Sequence, residues 1–262
     1  MNKLNSNSGY SPANGIKLYY ELYGTGKPLV LIHGGGSSGF FDFEETVKRL
    51  KDQYQLILLD MQNHGRSEHR AVPETFEQDA KDIVAVLDYL AINKASFFGF
   101  SNGATTILRL ATLFPDRVDK LIAASGNTKR EGLMDGFFDS MSASTIEVMP
   151  PYLKENFLKL NPDLEKFKNM YEKDSRRMIN FEDFEPGTLE NISCPVFLIA
   201  GDQDVIKGQH LADMQKQIPN ARLMILPANH GNYIMKDFNG QVDAGLIDFT
   251  ILQVRKFLEA ES

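Results

Sequence analysis

Apolar positions in this chain fall into short continuous runs separated by stretches of helical periodicity. "IKLYYELYG" (16–24) and "PLVLIHGGG" (28–36) read as two strands around a turn containing Gly24 and Gly26. In "FEETVKRLK" (43–51), Phe43, Val47 and Leu50 recur at three and four residues, the spacing of one helix face. "QLILLD" (55–60) carries a continuous apolar run, as in strands buried on both faces. "EQDAKDIVAVLDYLAI" (77–92) puts Ala80, Ile83, Val84, Leu87 and Leu90 on one helical stripe, and "SFFGF" (96–100) follows as a strand. "NGATTILRLATLF" (102–114) reads as a helix stopped by Pro115, and "KLIAAS" (120–125) as a further buried strand. This alternation predicts parallel strands with crossover helices, a doubly wound α/β sheet.

The rhythm breaks from about Asn127 to Asn191, where helix-like segments rich in Met, Phe and Tyr replace strand signals. It resumes with the strand "CPVFLIAG" (194–201), the helix-like "HLADMQKQI" (210–218), the strand "ARLMILP" (221–227) and a long helix-like C-terminal segment. The pattern therefore divides the chain into a core, 1–126 and 192–262, and a helical cap, 127–191, inserted between two late strands of one sheet. Such an insertion is expected over the carboxyl ends of the strands, where ligands bind in these sheets.

Composition narrows the function classes. The 262 residues are 42% hydrophobic and 24% charged, enough for a substantial single core. A net charge of −7 without a Lys/Arg cluster argues against nucleic acid as a partner. No apolar run approaches a membrane span, and "MNKLNSNSGYSPANG" lacks the apolar centre of a signal peptide, so a cytoplasmic location is the expectation. The single cysteine, Cys194, excludes an internal disulfide framework and reads as a buried packing residue in a strand.

Two stretches match G-x-S-x-G: "GFSNG" (99–103), centred on Ser101, and "GGSSG" (35–39), centred on Ser37. At about 7% glycine, chance supplies the pattern in roughly one chain of this length in ten, so context must decide. A nucleophile elbow needs its serine directly at a strand end, with a helix following. Strand character runs to Phe100, and from Asn102 the helix begins, which puts the Asn102 N–H at a helix N-terminus facing an incoming oxyanion. Ser37 instead sits four residues beyond His33, in a loop of three consecutive glycines. That loop suits close backbone approach to a carbonyl oxygen. "GFSNG" thus reads as the elbow and "HGGG" (33–36) as an oxyanion loop.

The nucleophile needs a base, and the base an orienting acid. With this elbow the acid and then the histidine follow in chain order. His33 reads as support for the glycine loop, and His64 and His69 as structural or exposed residues of "MQNHGRSEHR". Of the late histidines, His210 begins a helix-like segment and reads as exposed, whereas His230 lies in "LPANHGNYI", directly after a strand. "AGDQDVI" (200–206) offers two carboxylates; Asp204 reaches farther from the strand end, and Asp202 suits turn shaping. After "KLIAAS" there is no carboxylate until Glu131.

With "LIHGGGSSG", "LLDMQNHGRS", "FFGFSNGA", "LIAGDQDVI" and "LPANH", the chain resembles α/β-hydrolase fold enzymes over essentially its whole length outside the cap. More narrowly, "NGIKLYYELYGTGKPLVLIHGGG" with a compact helical cap resembles small bacterial serine hydrolases and esterases. The resemblance implies a mostly parallel sheet, a triad of Ser101, Asp204 and His230, and oxyanion donors at the Gly35 and Asn102 N–H groups. Asn63 departs from a usual glycine, although asparagine tolerates positive φ. Asn102 departs from a usual bulky apolar residue and is expected to add a polar side chain to the pocket. The expected reaction is hydrolysis of a small or medium carboxylic ester through an acyl-enzyme, with water and no metal or organic cofactor. Lactone, thioester and C–C bond hydrolysis use the same residues, and a non-catalytic small-ligand receptor shares the fold. Phe137, Phe138 and Met141, with Met149, Tyr152 and Phe157, are expected to roof the substrate pocket or to pack the cap on the core.

Overall fold

The computed structural model describes residues 7–260. Strands β1 (Asn7–Ala13), β2 (Ile16–Tyr23), β3 (Lys27–Ile32), β4 (Tyr54–Leu59), β5 (Ala95–Phe100), β6 (Val118–Ala124), β7 (Val196–Gln203) and β8 (Ala221–Asn229) form one sheet. Its order is β1-β2-β4-β3-β5-β6-β7-β8. Pairs from β4 across to β8 are parallel, and the β1–β2 and β2–β4 pairs are antiparallel. The helices are α1 (Gly39–Leu50), α2 (Phe76–Tyr89), α3 (Asn102–Leu113), α4 (Phe137–Ala143), α5 (Pro151–Leu160), α6 (Leu164–Ile179), α7 (Gly208–Gln217) and α8 (Ala244–Glu259). Among the described residues no helix is long and apolar enough to cross a membrane. The first six residues of the N-terminal stretch lie outside the described residues.

The central strands carry long apolar runs because both faces are covered. Val30 and Ile32 of β3, and Leu121 and Ala123 of β6, pack toward α2, α3 and α7. Leu29 and Leu31, Ile122 and Ala124, their alternates, pack toward α1 and α8. The helical stripes meet them: Ala80, Ile83, Val86 and Leu87 of α2 on one side, Phe43, Val47 and Leu50 of α1 on the other. Cys194 is buried in the first of these layers. The Lys120 ammonium is also buried, donating to the carbonyls of Phe257 (3.2 Å), Leu258 (3.0 Å) and Ala260. It thereby satisfies the C-terminal carbonyls of α8 with a positive charge where the helix dipole favours one.

Two features differ from the expectation. β2 and β3 do not pair with each other; β4 lies between them, so the Gly24–Gly26 turn joins non-neighbouring strands. In addition, the polar stretch Asn7–Ala13 forms an edge strand, closed onto β2 by Asn14 and Gly15, with φ of 49° and 94°. Positive φ at both positions is what a tight hairpin demands.

Between β6 and β7 the chain forms α4, α5 and α6, with Phe157, Phe167 and Met170 as a small core of their own. Asp163 caps α6 by accepting the Glu165 and Lys166 N–H groups. This insertion meets the sheet domain through polar bonds, Asn156 Nδ2 to Ser38 Oγ (3.0 Å), Asn169 Nδ2 to His69 Nδ1 (2.7 Å) and Arg177 to Asp79 (2.7 Å), and through apolar side chains such as Met141 and Met178 on the main core.

Candidate active site

β5 ends at Phe100 and α3 begins at Asn102, leaving Ser101 alone at the corner with φ 53° and ψ −119°. A non-glycine residue holds such a conformation only when its surroundings impose it. Here the Ser101 N–H is anchored to the Ala124 carbonyl at 2.8 Å. The flanking glycines are required by crowding: a Cβ on Gly99 would fall 2.4 Å from the Gly103 carbonyl oxygen, and one on Gly103 would fall 2.1 Å from that of Ile32. Strand and helix therefore cross in direct backbone contact, and Ser101 is lifted above the sheet.

His230, in the loop after β8, turns Nε2 to within 3.2 Å of Ser101 Oγ. Its Nδ1 lies 2.7 Å from Asp204 Oδ1, in the loop after β7. The Phe100 ring packs against the imidazole, with centroids 4.7 Å apart. Asp204 is held on both oxygens. Oδ1 also accepts the Ile206 N–H (3.1 Å), and Oδ2 accepts the Ser125 hydroxyl (2.5 Å). Burial pushes the Asp204 carboxyl up, but the bonds from His230, Ser125 and Ile206 outweigh it and hold the group below the usual carboxylate range. Asp202 faces away and accepts the Ala228 N–H at 3.0 Å, pinning the β7–β8 end.

Ser37 has a different environment. It is buried, and its hydroxyl donates to Asp42 Oδ1 (2.5 Å). Asp42 Oδ2 also accepts the Gly34 N–H (2.8 Å). Burial raises the Asp42 carboxyl to about 6. The glycine loop lies against the elbow: a Cβ on Gly34 would sit 3.2 Å from Ser101 Cβ, and one on Gly35 would sit 2.7 Å from Asn102 Nδ2. Gly35 and Asn102 are thus brought together beside Ser101, and the first N–H groups of α3 have no partner inside the helix.

Two cavities of about 250 Å3 each flank this centre. One is bounded by Gly35, Asn102, Met141, Met149, Leu153 and Tyr171. The Tyr171 hydroxyl there is buried without a hydrogen-bond partner among the described residues. The other is bounded by His230, Phe41, Tyr152, Asn232, Met235 and Phe238, and Leu153 borders both. Of the expected roof residues, Met141 and Met149 line the first and Tyr152 the second. Phe137 and Phe138 line neither; they pack edge to face on the main core, with Arg130 stacked on Phe138. Phe157 is buried inside the small core between β6 and β7. A larger cavity, about 590 Å3 beside Phe76, Arg109 and Phe181, includes none of residues 101, 204 and 230. Among the described residues no cluster of His, Cys, Asp or Glu has the makings of a metal site.

The other histidines are structural. His33 Nε2 accepts the Met61 N–H (3.0 Å), and burial with His64 beside it pushes its pKa down to about 3. His210, expected to be exposed, is buried; its Nε2 accepts the Thr128 N–H (3.2 Å), and burial lowers it to about 4. The reason is placement in the first turn of α7, facing inward against Gly132. His64 is the most distinctive. It lies 2.8 Å from Asp174 Oδ2, on α6, and Arg177 bonds the other oxygen of that carboxylate at 2.5 Å. Burial alone would push the His64 imidazolium down; Asp174, and Glu74 beyond it, raise it to about 9. Asp174, Arg177 and Ser125 escaped the sequence reading. An Asp and an Arg three apart on a polar helix look like a surface pair, and a serine at a strand end has no motif.

The sheet, the crossovers and the strand–serine–helix corner define an α/β-hydrolase. A family profile described as the alpha/beta hydrolase fold matches residues 27–154. The chain is similar to 3-oxoadipate enol-lactonase 2 of Acinetobacter baylyi, 26% identical over 88% of this chain and 94% of that one. It is similar also to the serine hydrolase BPHL of Homo sapiens, 26% identical over 84% and 78%. Among solved structures, the 2-hydroxy-6-oxo-6-phenylhexa-2,4-dienoate hydrolase of Rhodococcus superposes with a TM-score of 0.81 at 16% identity, over 98% and 100% of the two chains. The chain has the α/β-hydrolase fold and is a small α/β-hydrolase.

Proposed function

We propose that the protein is a serine hydrolase of small or medium carboxylic esters, working through an acyl-enzyme. The observation that carries this reading is the hydrogen-bonded line from Asp204 through His230 to Ser101, at 2.7 and 3.2 Å, with Ser101 in a strained elbow. In the first step His230 Nε2 takes the Ser101 proton as Oγ attacks the ester carbonyl, and Asp204 stabilises the imidazolium. The Gly35 and Asn102 N–H groups receive the oxyanion. His230 then protonates the leaving oxygen, and the same base activates the water that releases the acyl group.

The two cavities suit this division. The leaving alcohol must lie within reach of His230, which favours the aromatic cavity of Phe41, Tyr152 and Phe238. The acyl chain then takes the methionine-lined cavity beside Gly35 and Asn102. Residues 127–191 act as the cap that supplies most of that lining. Lactones and thioesters undergo the same attack, and the likeness to an enol-lactonase puts a cyclic ester among the substrates to be tried. The test is a hydrolysis panel of p-nitrophenyl esters, thioesters and lactones with wild type and Ser101→Ala. Turnover of an ester that vanishes in the variant supports the reading. Binding without turnover across the panel would favour a receptor on this fold.

A further inference from the structure

The Gly34–Gly36 loop has no side chains of its own, and Gly36 sits at φ +68°. A triglycine segment has no intrinsic preference for one conformation, so its shape must come from outside. On one side Asp42 holds the Gly34 N–H. On the other, the Gly36 N–H donates at 2.6 Å to Asp174 Oδ2, from a helix 138 residues further along the chain. Gly35 is suspended between these two carboxylates, and a Cβ on it would lie 3.1 Å from Asp174 Oδ2. A carboxylate this close to a developing oxyanion would oppose it. The charge is offset by His64 and Arg177, which bond its two oxygens. Glu74 and Asp79 then balance Arg177 on its far side.

We propose that Asp174 is a positioning residue for the reaction: by fixing Gly36 it aims the Gly35 N–H, so the oxyanion hole is complete only when α6 is seated on the core. This rests on the serine hydrolase reading above. Asp174 also borders the methionine-lined cavity, so the physical content of the proposal is a loss larger in kcat than in KM. The bond to the His64 side chain would by itself fasten α6; the additional bond to the Gly36 main chain reaches the loop that receives the oxyanion.

The test compares wild type, Asp174→Asn and Asp174→Ala on p-nitrophenyl butyrate, with phenylboronic acid as inhibitor. That inhibitor forms an anionic tetrahedral adduct when Ser101 Oγ gives its proton to His230 Nε2 and an electron pair to boron, leaving a boron-bound hydroxyl in the oxyanion site. Asp174→Ala is expected to lower kcat about 10- to 100-fold, since deleting a whole donor costs about 100- to 1,000-fold. KM should stay within about threefold, and the Ki of phenylboronic acid should rise in step with the fall in kcat/KM. Asp174→Asn keeps an acceptor oxygen for Gly36 and should recover much of the loss. If Asp174→Ala fails to fold, Asp174→Asn against wild type still decides, with a kcat loss of about three- to tenfold expected. Folded variants with unchanged kcat and Ki, or a loss confined to KM, would overturn the proposal. Wild type that neither turns over esters nor binds the boronic acid would instead sink the serine hydrolase reading, and the role of Asp174 with it.

Discussion

Replacing His64 by glutamine should abolish a specific dependence of stability on pH. His64 is fully buried and faces Asp174 and Arg177 from α6, Glu74 from the segment before α2, Asp79 from α2, His33 from the end of β3 and Asp42 from α1. Its pKa rises from 6.5 to about 9, because the attraction of Asp174 outweighs the cost of burial. A histidine whose folded value exceeds its unfolded value contributes stability that is fully present below about pH 6.5. That contribution is lost as pH rises through about 9. The shift corresponds to about 3 kcal/mol, with a slope approaching 1.4 kcal/mol per pH unit inside the window. Glu74, raised to about 7 by burial, is half titrated at that pH and adds only about 0.4 kcal/mol of further loss above it, and His33, lowered to about 3, titrates far below. Between pH 7 and 8.5 wild type should therefore lose about 2 kcal/mol of unfolding free energy. The chain has no tryptophan, so urea unfolding is followed by circular dichroism at half-unit steps. The variant should be weaker at pH 7 and nearly flat to 8.5. A flat or rising wild-type profile, or an equal slope in His64→Gln, would refute the reasoning.

Three further outcomes are expected. Ser125→Ala removes a bond to Asp204 and should lower kcat about three- to tenfold with little change in KM; an unchanged kcat would separate Ser125 from the proposed triad. Met141→Ala should move the preferred p-nitrophenyl ester toward longer acyl chains, whereas Phe137→Ala should not, because only Met141 borders the cavity beside Gly35. Identical chain-length profiles for the two variants would contradict the cavity assignment. Lys120→Met strips the C-terminal carbonyls of α8 of a buried partner and should cost about 1–3 kcal/mol in urea unfolding; a neutral result would mean that water replaces the ammonium.

Legibility in the sequence followed how local each determinant is. β3 to β7 were visible because burial on both faces leaves an apolar run, as in Leu56–Leu59 or Leu121–Ala124. β1 was not, since an edge strand needs only its backbone; Tyr10 is half exposed and Pro12 removes a donor. The separation of β2 from β3 was invisible because pairing is set by β4, some thirty residues on. Ser101, Asp204 and His230 could be nominated because each follows directly on a strand end. Asp174 and His64 could not, since their burial and charge exist only once α6 docks against the glycine loop. Phe137 and Phe138 carried the right composition for a pocket wall, but the direction of α4 turns them onto the core.

The most direct measurement of the central claim is covalent labelling by a fluorophosphonate, read by intact mass and peptide mapping. Wild type should gain a single phosphonyl adduct on Ser101, with fluoride as the leaving group, and Ser101→Ala should gain none while remaining folded. Labelling should slow markedly in His230→Ala. An unlabelled wild type, or an adduct on Ser37 that persists in Ser101→Ala, would contradict the assignment of the nucleophile.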